Sequence, residues 1–332
     1  MMLPANHPPV AAPKVGVLLV NLGTPDAPTT AAVRRYLAEF LSDRRVVEIP
    51  PLVWKPILHG IILRTRPAKS AANYAKVWMD EGSPLAVYTN RQAIDLQKRL
   101  GDAADVRAAM RYGQPAIASQ LSAMKADGCN RILVAPLYPQ YSGATTATVV
   151  DEVGRSLAAM RWQPALRTLP AYHDDPAHIA ALATRLKAQL AGLDFEPDAI
   201  VASFHGMPER TLQLGDPYHC HCQKTARLLS EAVGKPLTIA FQSRFGRAKW
   251  LEPSTEDTIK RLASEGKKKI AIFAPGFSAD CLETLEELAM QGKEQFEEAS
   301  GEHYAYLSCL NDSEPGMEML ETLVRRELSG WL

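Results

Sequence analysis

Residues 199–208 read Ala199-Ile200-Val201-Ala202-Ser203-Phe204-His205-Gly206-Met207-Pro208, and this stretch decides how the chain is read. A short, almost unbroken apolar run gives way at once to an imidazole, a glycine and a proline. Such a run suits a strand covered on both faces, as in a parallel sheet; a half-exposed strand would alternate. Runs at 15–20, 106–110, 132–137 and 165–169 precede it, and runs at 237–241, 270–274 and 303–307 follow. The intervening stretches are long enough for crossover helices, for example 145–161, 225–233 and 281–299. Four runs per half predict an α/β chain of two similar doubly wound domains, each a four-stranded parallel sheet flanked by helices. The punctuation His173-Asp174-Asp175-Pro176 marks the junction and divides the chain into 14–172 and 173–313.

Bulk composition points the same way. A length of 332 residues fits two domains better than one, and 46% hydrophobic with 22% charged residues is an ordinary globular profile. Lys+Arg 37 against Asp+Glu 37 leaves no net charge to gather a polyanion, which argues against nucleic acid as the main partner. Five cysteines, an odd number in a long chain, read as reduced thiols of a cytoplasmic protein. Residues 1–13 are rich in Pro and Ala and lack the basic-then-apolar order of a signal peptide. Residues 132–150 have the length of a membrane span. Gln140, Ser142, three threonines and two prolines make them a strand followed by a polar loop.

In such sheets chemistry gathers beyond the carboxyl ends of the strands. His205 stands there, able to act as base, acid or metal ligand, or to be hydrogen-bonded into its loop. The run 270–274 leads into Pro275-Gly276-Phe277-Ser278-Ala279-Asp280 and then a helix bearing Glu283 and Glu287. If Asp280 is the N-cap, Glu283 occupies the capping-box position. Glu287 lies one turn on, so the two carboxylates share a face, with Leu282, Leu285 and Leu288 on another; the row is either a solvated face with a cap, or its repulsion is offset by a cation or shared protons. A histidine with a carboxylate suits borderline ions such as Fe²⁺, and holds them loosely enough for release.

Other features carry less chemistry. His219-Cys220-His221-Cys222 has Cys-x-Cys spacing and no second pair, so it does not read as a zinc or iron–sulfur site. Segment 40–67 mixes apolar residues, Trp54 and four prolines with Arg44, Arg45, Arg64 and Arg66, and Pro50-Pro51 should break a long helix. It is compatible with a lip for a flat apolar ligand bearing carboxylates, with a membrane-facing surface, or with plain helix packing. Asn21-Leu22-Gly23-Thr24-Pro25 begins like a phosphate loop but lacks the glycine and lysine pattern of one.

Several motifs in order resemble the ferrochelatase family, bacterial type. They are Val-Asn-Leu-Gly-Thr-Pro (20–25), Glu-Gly-Ser-Pro-Leu (81–85), Met-Arg-Tyr-Gly (110–113) and Pro-Leu-Tyr-Pro-Gln-Tyr-Ser (136–142). Ser-Phe-His-Gly-Met-Pro (203–208), Gly-Asp-Pro-Tyr (215–218), Phe-Gln-Ser-Arg-Phe-Gly (241–246) and Pro-Gly-Phe-Ser-Ala-Asp-Cys-Leu-Glu-Thr-Leu-Glu-Glu (275–287) complete the set. The resemblance implies a chelatase-like fold with a cleft between its domains, the final helix at 314–330 packing back on the first. It also implies a lyase that inserts Fe²⁺ into protoporphyrin IX, releasing two protons, as the last step of haem biosynthesis.

By that pattern His205 and Glu283 are the essential pair, catalytic and metal-contacting, and Glu287 continues an acidic row that stops at Gln291. Tyr74, Arg111, Tyr112 and Trp250 fall where the family lines its porphyrin pocket, and Leu22 approaches one porphyrin face. Iron is then a substrate, and no prosthetic group is expected. The chain ends at Trp331-Leu332 without a cysteine group, so no iron–sulfur cluster is expected. Loose attachment to the inner membrane face would match an apolar product. Two alternatives stay open: a chelatase for coproporphyrin III or another tetrapyrrole, and a non-catalytic tetrapyrrole or metal binding protein.

Overall fold

Each apolar run becomes a strand in the computed structural model, which describes residues 6–7, 11–246 and 248–332. Most of 1–13, read above for a leader, lies outside the described residues. The first half holds β1 (Lys14–Gly23), β2 (Asp105–Tyr112), β3 (Cys129–Pro136) and β4 (Ala165–Thr168). The second holds β5 (Ala199–His205), β6 (Leu237–Gln242), β7 (Lys269–Phe273) and β8 (His303–Leu307). The sheets run β2-β1-β3-β4 and β6-β5-β7-β8, parallel throughout. Helices cover both faces, so Val17, Leu18, Leu19 and Val20 are all fully buried although alternate residues point to opposite sides. The 132–150 stretch resolves into β3, a loop and the Thr146–Ala158 helix.

This strand order places the switch point of the second sheet between β5 and β7. The chain leaves β5 toward one side and β7 toward the other, which opens a crevice beyond their carboxyl ends. The equivalent point of the first sheet lies between β1 and β3. Gly23 closes β1 with φ +117, and a Cβ there would fall 1.8 Å from the Tyr112 carbonyl oxygen. Only glycine fits where the ends of β1 and β2 converge so closely. That is the structural reason for the glycine in the Asn-Leu-Gly-Thr motif.

Motifs far apart in sequence meet in pairs across the fold. Thr24 donates to Ser83 at 2.7 Å, joining the stretches 20–25 and 81–85. Ser142 Oγ and the Gly143 amide donate to the Asp216 carboxylate at 3.1 and 2.6 Å. Gln140 reaches Thr225 at 3.0 Å, and the Tyr141 amide donates to His221 Nδ1 at 3.2 Å. These bonds weld the loop after β3 to the Tyr218–Val233 helix of the second half. The Glu314–Glu327 helix returns toward the first half, where Arg99 pairs with Glu314 at 2.7 Å. Arg167 of β4 lies over the Trp331 ring at 4.2 Å.

As expected, no helix crosses Pro50-Pro51 in the 40–67 segment. A nearly continuous helical rod runs Pro51–Ile57, through a π-turn at Leu58–Ile62, into Leu63–Val77. Pro51 sits in the first turn, where no amide donor is needed, and so starts the rod. Pro67 removes a donor that would have met the Leu63 carbonyl, and Arg34 Nε supplies the missing bond at 2.9 Å. Leu52, Val53 and Ile61 of this rod are 92%, 55% and 57% exposed.

Candidate active site

His205 is the last residue of β5, half-buried at the crevice. Its backbone is held from two sides. Tyr218 Oη donates to the His205 carbonyl at 3.0 Å, and the Gly206 amide donates to Gln242 O at 2.6 Å. The ring's Nδ1 lies 2.6 Å from the Gly206 carbonyl oxygen, which can only accept. Nδ1 therefore carries the hydrogen, and Nε2 keeps a lone pair for a proton or a metal ion.

The acidic helix differs from the sequence expectation in two ways. Glu283–Gln291 is a π-helix, continued as an α-helix over Gly292–Glu298. Extended π-helices are rare and recur at functional sites. Asp280 is not its cap: Leu282 precedes the first turn, and no side chain caps it. The buried Asp280 carboxylate instead accepts from Tyr306 Oη at 2.5 Å, Thr284 Oγ1 at 3.0 Å and Asn311 Nδ2 at 2.6 Å. This removes the capping-box reading of Glu283 and leaves its carboxylate to serve another purpose.

His205 and the acidic helix meet through one side chain. Gln242 is the register partner of His205 on β6, and its Nε2 donates to the Glu283 carbonyl at 2.8 Å. Next along the chain, Ser243 Oγ donates to Glu287 Oε2 at 2.5 Å. Burial, then the neighbouring Glu283 charge, push Glu287 up to about 7. Glu286 points the other way. Its side chain is 3% exposed, pairs with Lys76 at 3.2 Å and accepts from Gln291 Nε2 at 2.9 and 2.8 Å. Gln291, where the acidic row stops, thus helps satisfy the buried Glu286 carboxylate by hydrogen bonding.

Of the expected lining residues, some gather here. Leu22 and Phe277 pack against the same buried cluster of Leu85, Ala279 and Cys281, and the Phe277 ring centroid is 6.4 Å from that of His205. Tyr74 packs with Leu282, and its phenol is pushed far up by burial and then by the Glu283 charge. Trp250 lies under the loop after His205, within 3.3 Å of where a Gly206 Cβ would stand. Its indole donates to Phe245 O at 3.2 Å.

Arg111 and Tyr112 are turned inward. Arg111 donates to Asp43 at 2.6 Å and to Thr148 O at 2.9 Å, its guanidinium lies over the Tyr112 ring at 4.4 Å, and Tyr112 Oη donates to Asp43 at 2.9 Å. Both support the wall from behind and keep their polar groups occupied.

His219-Cys220-His221-Cys222 does not converge on one point. Cys222 is buried, Cys220 is exposed, His219 stacks beside Phe241, and His221 stacks on His173 at 3.5 Å. Among the described residues no group of three or more His, Cys, Asp and Glu side chains is arranged to hold a metal ion. Sequence reasoning passed over Gln242, Ser243 and Tyr36. Gln242 and Ser243 stand in a motif quoted only for its resemblance, and the signal was two polar residues directly after an apolar run. Tyr36, whose phenol is raised by burial and by Tyr74 and Glu283, had only its place on an amphipathic helix to mark it.

Comparison with known proteins closes the question of family. A ferrochelatase of Rhizobium meliloti (strain 1021) is 55% identical over 98% of both chains. Another, from Polaromonas sp. (strain JS666 / ATCC BAA-500), is 54% identical over 98% of this chain and 90% of its own. The sirohydrochlorin chelatase SirB from Bacillus subtilis subspecies spizizenii, solved in complex with cobalt, shares the fold at a TM-score of 0.55. It is 12% identical, with 96% of each chain covered. The family model for ferrochelatase matches residues 14–328, and the chain belongs to the ferrochelatase family.

Proposed function

We propose that this chain inserts Fe²⁺ into protoporphyrin IX to form protohaem with release of two protons, and that His205 and Glu283 are the groups that do it. The observation carrying the site assignment is the Gln242 bridge, which links the strand end bearing His205 to the helix bearing Glu283. In this reading Leu22 and Tyr74 flank the macrocycle from the first half and Trp250 backs it from the second, while Arg111 and Tyr112 brace the wall.

The chemistry follows from what insertion must overcome. A flat porphyrin hides its nitrogens and carries two inner N–H groups, while aqueous Fe²⁺ holds its water. Contacts along the macrocycle edge supply the few kcal/mol needed to bend it and expose lone pairs on one face. His205 Nε2 accepts a pyrrole proton or holds the incoming ion. Glu283 attracts the cation and accepts a proton, and Glu287, about half protonated at pH 7, passes protons outward. Iron enters as substrate, and the reaction needs no resident prosthetic group.

The test is absorbance of porphyrin mixed with protein and Fe²⁺ or Zn²⁺, comparing protoporphyrin with coproporphyrin. His205→Ala abolishes insertion while porphyrin still binds; normal turnover would remove the assignment. Glu283→Gln loses more than about tenfold, roughly 1.4 kcal/mol; a smaller loss returns it to a structural role.

We also propose that the lip lies on a membrane surface. Leu52, Val53 and Ile61 are exposed on the rod that also bears Lys55, Arg64 and Arg66. Apolar side chains edged by cations suit an anionic bilayer interface. Among the described residues no helix is long and apolar enough to cross a membrane. Sedimentation with anionic vesicles tests the idea: Leu52→Ser with Val53→Ser should abolish binding, and unchanged co-sedimentation would overturn it.

A further inference from the structure

We infer that Ser243 is a positioning residue for metal insertion, fixing Glu287 in the acidic row opposite His205. This deepens the site reading given above and rests on it. At the exit of β6 the chain places two adjacent side chains on the π-helix, four residues apart. Gln242 Nε2 holds the Glu283 carbonyl at 2.8 Å, and Ser243 Oγ holds the Glu287 carboxylate at 2.5 Å.

The bracket is anchored at its base. Gln242 O accepts the Gly206 amide at 2.6 Å, and Gln242 Oε1 accepts from Ser203 Oγ at 3.0 Å. Ser203 also contacts Thr255 Oγ1 at 2.8 Å. β6 therefore ties the strand end bearing His205 to the acidic row, in addition to the Asp280 contacts that hold the start of the helix.

The backbone argues that the hydroxyl is wanted. Ser243 has φ +112, one of four non-glycine residues with positive φ among those described. A side chain in this region costs about 1–3 kcal/mol, and glycine would be free of that cost. Gly246 follows three residues later with φ +74, so the loop uses glycine where only the turn matters. At 243 a strained serine stands instead, and its Oγ donates to Glu287.

The experiment compares Ser243→Ala with Ser243→Gly in Zn²⁺ insertion, separating kcat from the KM for porphyrin. If Ser243 only shaped the turn, glycine would do as well as serine or better. If the hydroxyl positions Glu287, both variants lose about tenfold in kcat with KM within twofold, and glycine gains stability without regaining rate. In a Glu287→Ala background, Ser243→Gly should add less than twofold, because the partner is already gone. A normal kcat for Ser243→Gly, or a full additive loss in the Glu287→Ala background, overturns the inference. The parent reading fails differently: there His205→Ala and Glu283→Gln would themselves turn over normally.

Discussion

Gly206→Ala is the sharpest single perturbation of the proposed site, because it removes no chemical group. A Cβ at 206 would stand 2.5 Å from the Gln242 carbonyl oxygen, about 0.9 Å inside ordinary contact, and 3.3 Å from Trp250 Cε3. The oxygen belongs to the backbone of β6 and cannot rotate away. Relief requires the end of β5 to part from β6 by most of that distance, stretching the 2.6 Å bond from the Gly206 amide. Overpacking of this kind costs about 1–3 kcal/mol. The catalytic consequence is larger, since a reacting group displaced by ~1 Å can lose about 100-fold in rate.

The assay is urea unfolding alongside Zn²⁺ insertion into protoporphyrin, with Gly60→Ala as control. A Cβ at Gly60 meets nothing within 4 Å, so that variant should match the parent. Gly206→Ala with a parental unfolding midpoint and kcat within about twofold would refute the claim that the β5–β6 contact sets the position of His205.

Three further outcomes are expected. Lys76→Met leaves the buried Glu286 carboxylate with only Gln291, and should lower unfolding free energy by about 1–3 kcal/mol, measured by denaturant titration. Burial, then the adjacent His221 ring, push His173 down to about 4, and burial lowers His221 as well. Such a group binds fewer protons folded than unfolded below its free-chain value near 6.5, so stability should fall as pH drops from about 6.5 toward 4. His173→Phe should make that slope shallower. Glu287, raised to about 7, binds more protons folded than unfolded. Its contribution to stability is full below its ordinary value and lost as pH rises through about 7, while the anion that can accept a proton grows over the same range. Insertion rate should rise through that window, and Glu287→Gln should remove the limb from the pH profile.

Particular residues mark where sequence reading stopped. The strands were legible because burial on both faces leaves uninterrupted apolar runs, and all eight runs became strands within a few residues. His205 was legible because a titratable residue at a strand end, followed by Gly and Pro, is exposed to the crevice in any parallel sheet. The form of the acidic helix was not legible. An α-helical pattern and a π-helical one look alike over nine residues, and the choice depends on contacts from Gln242, Ser243 and Tyr304. The long rod beyond Pro51 was not legible for a similar reason. Whether Pro67 breaks a helix depends on what satisfies the Leu63 carbonyl, and that partner, Arg34, lies on another helix.

Taken alone, the order of residues determined the sheet architecture, the family and the two side chains on which the chemistry is proposed to rest. Each of these follows from local pattern: apolar run length, turn residues and ordered motifs. Tertiary structure alone decided how those side chains are held. It paired Asp280 with the side chains of Tyr306, Thr284 and Asn311 rather than with the amides of the helix start, and turned Arg111 toward Asp43. It also drew Gln242 and Ser243 across to the acidic helix. Hydrogen bonds between residues tens to hundreds of positions apart leave no periodic trace, so their partners exist only once the chain has packed.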